Sequence, residues 1–518
     1  MTTTAPQDVA EQSADSQPHY SMFIDGADVD SSEHYELRNP ATGQVFATVA
    51  KGDTSHADTA VAAAKRTFES GEWRNLPAGR RAEILEAAAA RIESRGEELT
   101  LLATIEGGAP LRLSNAFVAG MPVSNLRYFA EQLRKYEFES AGPITGPILA
   151  AGKIKREPLG VCVSIVPWNF PVALAVWKIG PALAAGNSVV LKTDEKTPIV
   201  STILAQELHA AGVPAGVFNV VTGDGEVVGA HLTEHPDVRK ISFTGSTAVG
   251  KQVASASTSN LKRVTLELGG KGANIVLPDA DLRLAVDGSL WAFLMHAGQA
   301  CESGTRLLLP AEIHDEFVDR MIARLKTIHI GDPADPATDL GPLISAEQRD
   351  RVLSYIDIAK QEGATVSYGG GVPAGDQYQN GYWVEPTILT GVTNDMQVAR
   401  EEVFGPVLAV IRYDSIDEAI KIANDTEYGL SAGLWSRDTT AALEIADKIE
   451  AGSVWINDWH MGNEQYPFGG FKQSGVGREL GAHAFDAYTE VKSVQFAIDP
   501  RVEYRAYGLL LSEPAPTE

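Results

Sequence analysis

From about residue 158 the chain alternates short β-branched runs with helical stretches, and this alternation restricts its fold more than any other feature. "GVCVSIVP", "SVVLKT", "GVFNVVTG", "KISFTG" and "ANIVLP" read as strands, because each is an apolar run bounded by Gly, Pro or polar residues. Strands separated by helical spacers predict βαβ units and a parallel sheet. Beyond residue 300 a second set follows: "TRLLLP", the helix "IHDEFVDRMIARLKTI", then "ATVSYGG", "YWVEPTILTGV", "PVLAVIRYD" and "GSVWIND". The expected class is therefore α/β, and 518 residues exceed what one hydrophobic core organises, so two or three domains are expected.

Upstream, "HADTAVAAAKRTFES", "PAGRRAEILEAAAARIESRGEEL" and "VSNLRYFAEQLRKYEFES" carry apolar positions at three- and four-residue spacing and predict helices. Two segments fit neither unit, "EFESAGPITGPILAAGKIKREP" and "YTEVKSVQFAI". Both predict an exposed ribbon able to pair with another subunit. The polar start "MTTTAPQDVAEQSADSQPH" lacks the apolar core of a secretory signal, and it and the end "LLLSEPAPTE" are expected to be disordered tails. No run of apolar residues is long enough to span a membrane, and a formal charge of −25 opposes nucleic-acid binding, which needs clustered Lys and Arg. A cytoplasmic location is expected.

Only two cysteines are present, Cys162 and Cys301, too few for a disulfide scaffold. Cys162 lies inside an apolar strand pattern and is expected to act as a small hydrophobe. Cys301 sits in the polar loop "MHAGQACESGTR" between Gly298 and Gly304, where the backbone can approach a ligand closely. A thiolate there is a competent nucleophile, and its own N–H can face an oxyanion formed on the attacked carbon.

Seven blocks in order, "PWNFP", "LKTDEKTP", "FTGSTAVGK", "LELGG", "GQACESGTR", "EEVFGPV" and "PFGGFKQSGVGRE", resemble those of the aldehyde dehydrogenase superfamily over residues 20 to 498. The resemblance implies a Rossmann-like cofactor domain (20–136 and 158–267), a catalytic domain (268–486) and an oligomerisation ribbon (137–157 and 487–498), with tails at 1–19 and 499–518. It implies NAD-dependent oxidation of an aldehyde to the acid, with Cys301 as nucleophile. The Asn169 amide then helps hold the oxyanion, Glu267 is the base that activates water for thioester hydrolysis, and Lys178 and Glu479 relay its proton. An amide suits the oxyanion because it stabilises charge without protonating it.

There is no GxGxxG fingerprint. "GSTAVGKQ" satisfies much of a phosphate-loop pattern through Gly245, Gly250 and Lys251, but Gln252 stands where a metal-binding hydroxyl is required, and no metal is expected. A strand, Gly245 and Ser246, then a helix still presents free N–H groups to a phosphate. The resemblance assigns NAD contacts to this turn with Phe243 and Val249, to Ile165 and Trp168, to Gly225 and Gly229, and to Leu268 and Gly269. It places Lys192 and Glu195 on the adenine ribose, and Glu402 and Phe404 at the nicotinamide end. A carboxylate at Glu195 favours NAD over NADP, since it would repel a 2′-phosphate.

The substrate pocket implied by the resemblance draws on Phe170, Leu174, Trp177, Trp459, His460, Gly462 and Phe468, and its aromatics suggest an apolar or aromatic aldehyde. Glu302 and His296 depart from the family, which commonly has a small residue and Asn there. Glu302 is expected to turn away from the sulfur, toward solvent or the funnel, leaving the thiol's ionisation unaffected. A homodimer or homotetramer is expected. Two alternatives stay open: transfer of the thioester to CoA, or a catalytically silent scaffold.

Overall fold

The computed structural model describes residues 17–142, 150–498, 501 and 505–511; most of both expected tails lies outside them. Five parallel strands form the centre of the first sheet: β1 (Val161–Ile165), β2 (Ser188–Lys192), β3 (Phe218–Val221), β4 (Val238–Thr244) and β5 (Arg263–Glu267). Their order in space is 3-2-1-4-5. The chain starts in the middle, runs outward to β3, then crosses back over β1 to β4. That reversal opens a crevice beyond the carboxyl ends of β1 and β4, where Ile165 pairs with Phe243. β2 and β3 are buried throughout, as a sheet covered on both faces requires. Antiparallel strands extend it on both sides, Met22–Ile24 and then Ala27–Val29 beyond β3, and Gly475–Val476 beyond β5. Cys162 is fully buried in β1, and burial pushes its thiol up to about 12.

Helix α1 (Pro171–Ala185) follows β1, opens on proline and ends on a left-handed Gly186. It is apolar all round and buried nearly throughout, so its one charge, Lys178, is enclosed. Helix α2 (Thr247–Ser257) follows β4, with Ser246 as its N-cap. The helix expected over 77–99 is two, Ala78–Ser94 and Gly96–Gly107, divided at Arg95, whose guanidinium bridges Glu98 and Glu207. The helix Met121–Lys135 stops before "YEFES", because Tyr136 turns to extended backbone.

The second sheet contains six parallel strands: β6 (Ala273–Val276), β7 (Arg306–Pro310), β8 (Thr387–Thr390), β9 (Val407–Tyr413), β10 (Ser431–Trp435) and β11 (Ser453–Ile456), ordered 8-9-7-6-10-11. Thr365–Tyr368 adds an antiparallel edge on β8. "ANIVLP" thus belongs here rather than with the strands preceding it. Three further strands, His19–Tyr20, His34–Arg38 and Val45–Ala50, form a small separate sheet. Glu139–Ala141, Ala150–Pro158 and Thr489–Ala497 make a three-stranded antiparallel ribbon. Among the described residues no helix is long and apolar enough to cross a membrane.

The two large sheets meet end to end. β5 finishes at Glu267, residues 268–272 cross over, and β6 begins at Ala273, so the carboxyl end of β5 leads directly into the amino end of β6.

Candidate active site

Cys301 is positioned by a strained turn. His296 (φ 51°), Ala297 (φ 54°) and Gly298 (φ 74°) are all left-handed, a conformation costing non-glycine residues about 1–2 kcal/mol each. A Cβ on Gly298 would lie 2.2 Å from the Gly405 carbonyl oxygen, so the loop can lie against "EEVFGPV" only with glycine there. The crossover 268–272 also lies directly on the loop. A Cβ on Gly270 would fall 2.3 Å from the Cys301 carbonyl oxygen, and one on Gly272 would fall 2.8 Å from that of Ser303. The Asn169 amide, just past β1, donates to the Gln299 carbonyl at 2.8 Å. "PWNFP", "LELGG" and "GQACESGTR", far apart in sequence, therefore converge.

Glu267, at the end of β5, is 2% exposed and neither of its carboxylate oxygens has a hydrogen-bond partner. Burial, then the charge of Glu479, holds it well above the usual carboxylate range, against the pull of Lys178 and Arg478. Lys178 Nζ donates to Glu479 Oε1 at 2.5 Å and to Thr244 Oγ1 at 2.7 Å, and Ser242 donates to the same Glu479 oxygen at 2.8 Å. Thr244, inside "FTGSTAVGK", and Ser242 just before it, both on β4, are members of this buried network to which the resemblance assigned no role.

Glu302 does not turn away from Cys301. The Cys301 thiol donates to Glu302 Oε2 at 3.2 Å, while Oε1 lies 3.1 Å from His460 Nδ1. Its own carbonyl accepts from Trp459 Nε1 and from Ser431 Oγ, each at 2.9 Å, which fixes the backbone and leaves the side chain between thiol and imidazole. Burial works against the charged form, but His460 and the thiol outweigh it and hold Glu302 below the usual range. The Cys301 thiol is in turn pushed well up, first by burial and then by Glu302, Glu402 and Glu267.

A cavity of about 700 Å³ opens beside this cluster, and Glu302, Trp177, His460, Gly462 and Phe468 line it as expected of a funnel. Trp459 does not line it. Its indole is 1% exposed and lies over Gly304 and Gly433, where added Cβ atoms would meet it at 2.9 and 2.3 Å. Leu174 is buried in the α1 core instead, and Phe170 faces a small side pocket against Phe117, with centroids 4.2 Å apart. Phe117, Met121, Trp455 and Tyr466 also line the cavity and carry no sequence signature. They reach it from the π-turn Ala116–Gly120 and its following helix, from β11, and from the loop after it.

Most residues expected at the cofactor lie at or after the carboxyl ends of β1 to β5, and Glu402 and Phe404 come from the segment before β9 in the second sheet. Glu195 Oε1 accepts from Lys192 Nζ and from the Gly225 N–H, both at 2.8 Å, so its carboxylate stands at the rim of the crevice. No heavy atom stands within 4 Å of a Cβ built on Gly229, and Val249 is 42% exposed at the start of α2. These features leave an open, partly apolar slot bordered by a carboxylate and a helix N-terminus, which suits an adenosine and a pyrophosphate. Phe243 and Leu268 are buried beneath it, under Gly245 and Gly250, rather than on its surface. Trp168 and Phe404 meet edge to face at 5.4 Å. Glu402 Oε1 accepts from the Gly270 N–H at 3.1 Å, and burial pushes the carboxyl up to about 7.

The family model "Aldehyde dehydrogenase family" matches residues 27–494. The betaine aldehyde dehydrogenase of Bacillus subtilis is 43% identical over 91% of this chain and 96% of its own. The human mitochondrial aldehyde dehydrogenase is 41% identical over 90% and 89%. The NAD+ complex of an aldehyde dehydrogenase from Bacillus cereus superposes with a TM-score of 0.91 at 39% identity, covering 96% of this chain and 99% of that one. The site geometry and these likenesses lead to the same place: the chain belongs to the aldehyde dehydrogenase family.

Proposed function

We propose that this protein oxidises an apolar or aromatic aldehyde to its carboxylic acid with NAD and water. The observation that carries the reading is the convergence on Cys301 of Asn169, held at Gln299, and of Glu267, brought in by the glycines of the crossover. Residues 20–136 and 158–267 form the cofactor domain and 268–486 the domain that carries Cys301, and the reaction draws on both, since Asn169, Lys178 and Glu267 lie in the first. The Cys301 sulfur attacks the carbonyl carbon, and the oxyanion is held by the Asn169 amide and the Cys301 N–H. NAD, when bound, supplies the hydride acceptor. Collapse of the oxyanion to a carbonyl, with loss of hydride from that carbon to the bound acceptor, would leave a thioester on Cys301. Glu267, buried and without a hydrogen-bond partner, takes a proton from water as the water attacks the thioester, and Lys178 with Glu479 carries that proton away.

For the cofactor, Glu195 offers its carboxylate to ribose hydroxyls and would repel a 2′-phosphate, so NAD is preferred over NADP. The ribbon supports assembly as a dimer or tetramer, since Val491, Val494 and Phe496 of Thr489–Ala497 are all exposed. The reducing cytoplasm suits a free nucleophilic thiol.

The test is NADH formation across a panel of short aliphatic to bulky aromatic aldehydes, for the native protein and Cys301→Ala, with NADP in place of NAD and with CoA added. Turnover with NAD that needs Cys301 and is indifferent to CoA is the expected result. Turnover that survives Cys301→Ala sinks the assignment, and acyl-CoA as product replaces hydrolysis with transfer.

A further inference from the structure

We propose that Glu302, positioned by His460, is the base that takes the proton from the Cys301 thiol, so that the nucleophile is activated from the funnel side by a carboxylate distinct from Glu267. This rests on Cys301 being the nucleophile. The contacts define a three-membered chain: thiol to Glu302 Oε2 at 3.2 Å, and Glu302 Oε1 to His460 Nδ1 at 3.1 Å. His460 Nε2 lies 3.3 Å from the Ala292 carbonyl, which only accepts, so that nitrogen carries a proton. The Nδ1 to Oε1 contact needs one further proton shared between ring and carboxylate. The second carboxylate oxygen thus remains free to accept from sulfur.

The imidazole is 2% exposed and is boxed in by Trp291, Trp455 and Trp459, with ring centroids 5.4 to 6.3 Å away. It is a fixed partner rather than a solvent-facing one. Glu302 lines the 700 Å³ cavity, so a proton it accepts has a route outward. Glu267 does not line this cavity, and its proton leaves by Lys178 and Glu479 instead.

In the step, the S–H bond breaks and an O–H bond forms on Glu302 Oε2. Sulfur keeps the electron pair and bonds to the carbonyl carbon, whose π pair moves to oxygen. The charge of Glu302 passes through sulfur to the oxyanion, and the net charge of the site is unchanged. The proton then leaves Glu302 through the funnel. His460 acts only through Glu302 and is a positioning residue. The titratable groups that face the thiol are Glu302, Glu402 and Glu267, and Glu302 is faced by His460 and the thiol.

The test is the pH profile of Cys301 alkylation by iodoacetamide, read by loss of free thiol and therefore independent of NAD and aldehyde. A reaction assisted by an ionised carboxylate has a plateau below the thiol's own ionisation, because the base is already charged there. The native protein should show this plateau through neutral pH. Glu302→Gln should lose it, so that the rate falls about tenfold per pH unit and is at least tenfold below native at pH 6. His460→Gln should keep a plateau whose acid edge moves to higher pH. If Glu302→Gln instead reacts faster at neutral pH along an unaltered profile, Glu302 is merely a repelling charge and the proposal is overturned. Should that variant not fold, Glu302→Asp, one methylene shorter, should lower the plateau several-fold without moving the limb at high pH; an undiminished plateau overturns the proposal. Turnover that persists in Cys301→Ala would instead remove the nucleophile assignment beneath it.

Discussion

On the buried wall of the nucleophile's site, Glu267 has neither oxygen hydrogen-bonded, while on the funnel wall Glu302 is engaged at both, by the thiol and by His460. The histidines repeat the pattern. His296, 3% exposed, has Nε2 without a partner, whereas both ring nitrogens of His460 are bonded. The same side chains thus acquire opposite properties from their surroundings. An unpartnered buried carboxyl or imidazole favours its neutral form, and a partnered one can keep its charge. The buried wall holds groups whose charge is costly, which suits a base that ionises for one step. The funnel wall holds a carboxylate whose charge is stabilised.

The sharpest way to break this comparison is at Lys178, which compensates Glu479 and draws Glu267 downward. Lys178→Met leaves a fully buried carboxylate uncompensated and should cost about 3–5 kcal/mol, seen as a large fall in thermal midpoint. The pH at which hydrolysis gains its base should also move up, because a force favouring the Glu267 carboxylate is gone. His460→Gln, on the funnel wall, should cost far less, on the order of 1 kcal/mol, since Glu302 still accepts from the thiol. Equal losses would mean that the two walls are not different in kind.

A second, smaller effect separates the histidines. Burial pushes His296 down to about 4, so the folded protein keeps it neutral at pH values where the unfolded chain protonates it, below about 6.5. Stability is therefore lost as pH falls from about 6.5 toward 4, by about 2 kcal/mol at pH 5. His296→Asn should remove that loss in denaturation curves at pH 5, and Asn also tolerates the left-handed backbone better. His460→Asn should leave the loss in place.

How far these contrasts were legible in the sequence depends on how local their causes are. The parallel strands, the strand-buried Cys162 and the loop position of Cys301 follow from short patterns and appear where those patterns lie. The strand Ser431–Trp435 escaped because Gly433 weakens its pattern; that glycine exists to admit the Trp459 ring. Trp459 itself was misplaced for the same reason, since which face of a loop a tryptophan covers depends on glycines in three other segments. The direction of Glu302 was unreadable because His460, which holds it, is 158 residues away. The short strands before residue 51 lack enough alternation to stand out from loops, and Phe117 reaches the cavity from a π-turn, which the three- and four-residue spacing of a helical pattern does not reveal.

The smallest effect is the most direct test of the comparison, because it applies one substitution to both walls. Glu267 has a raised folded value, so ionising it opposes folding. The cost begins once pH exceeds the unfolded value, near 4.3, and grows until the folded value is passed. Glutamine at 267 removes that cost, and Glu267→Gln should be more stable than the native protein at pH 8, with the gain vanishing below about pH 4. Glu302 has the opposite sign. Its lowered folded value contributes stability above the unfolded value, and this is lost as pH falls through the folded one. Glu302→Gln should therefore be less stable at pH 8 and converge on the native protein in acid. Each difference should be on the order of 1 kcal/mol, with opposite signs, in urea titrations at pH 8 and pH 4. If both variants shift the same way at pH 8, the charge of these two carboxylates is governed by something other than whether the surrounding protein bonds to them.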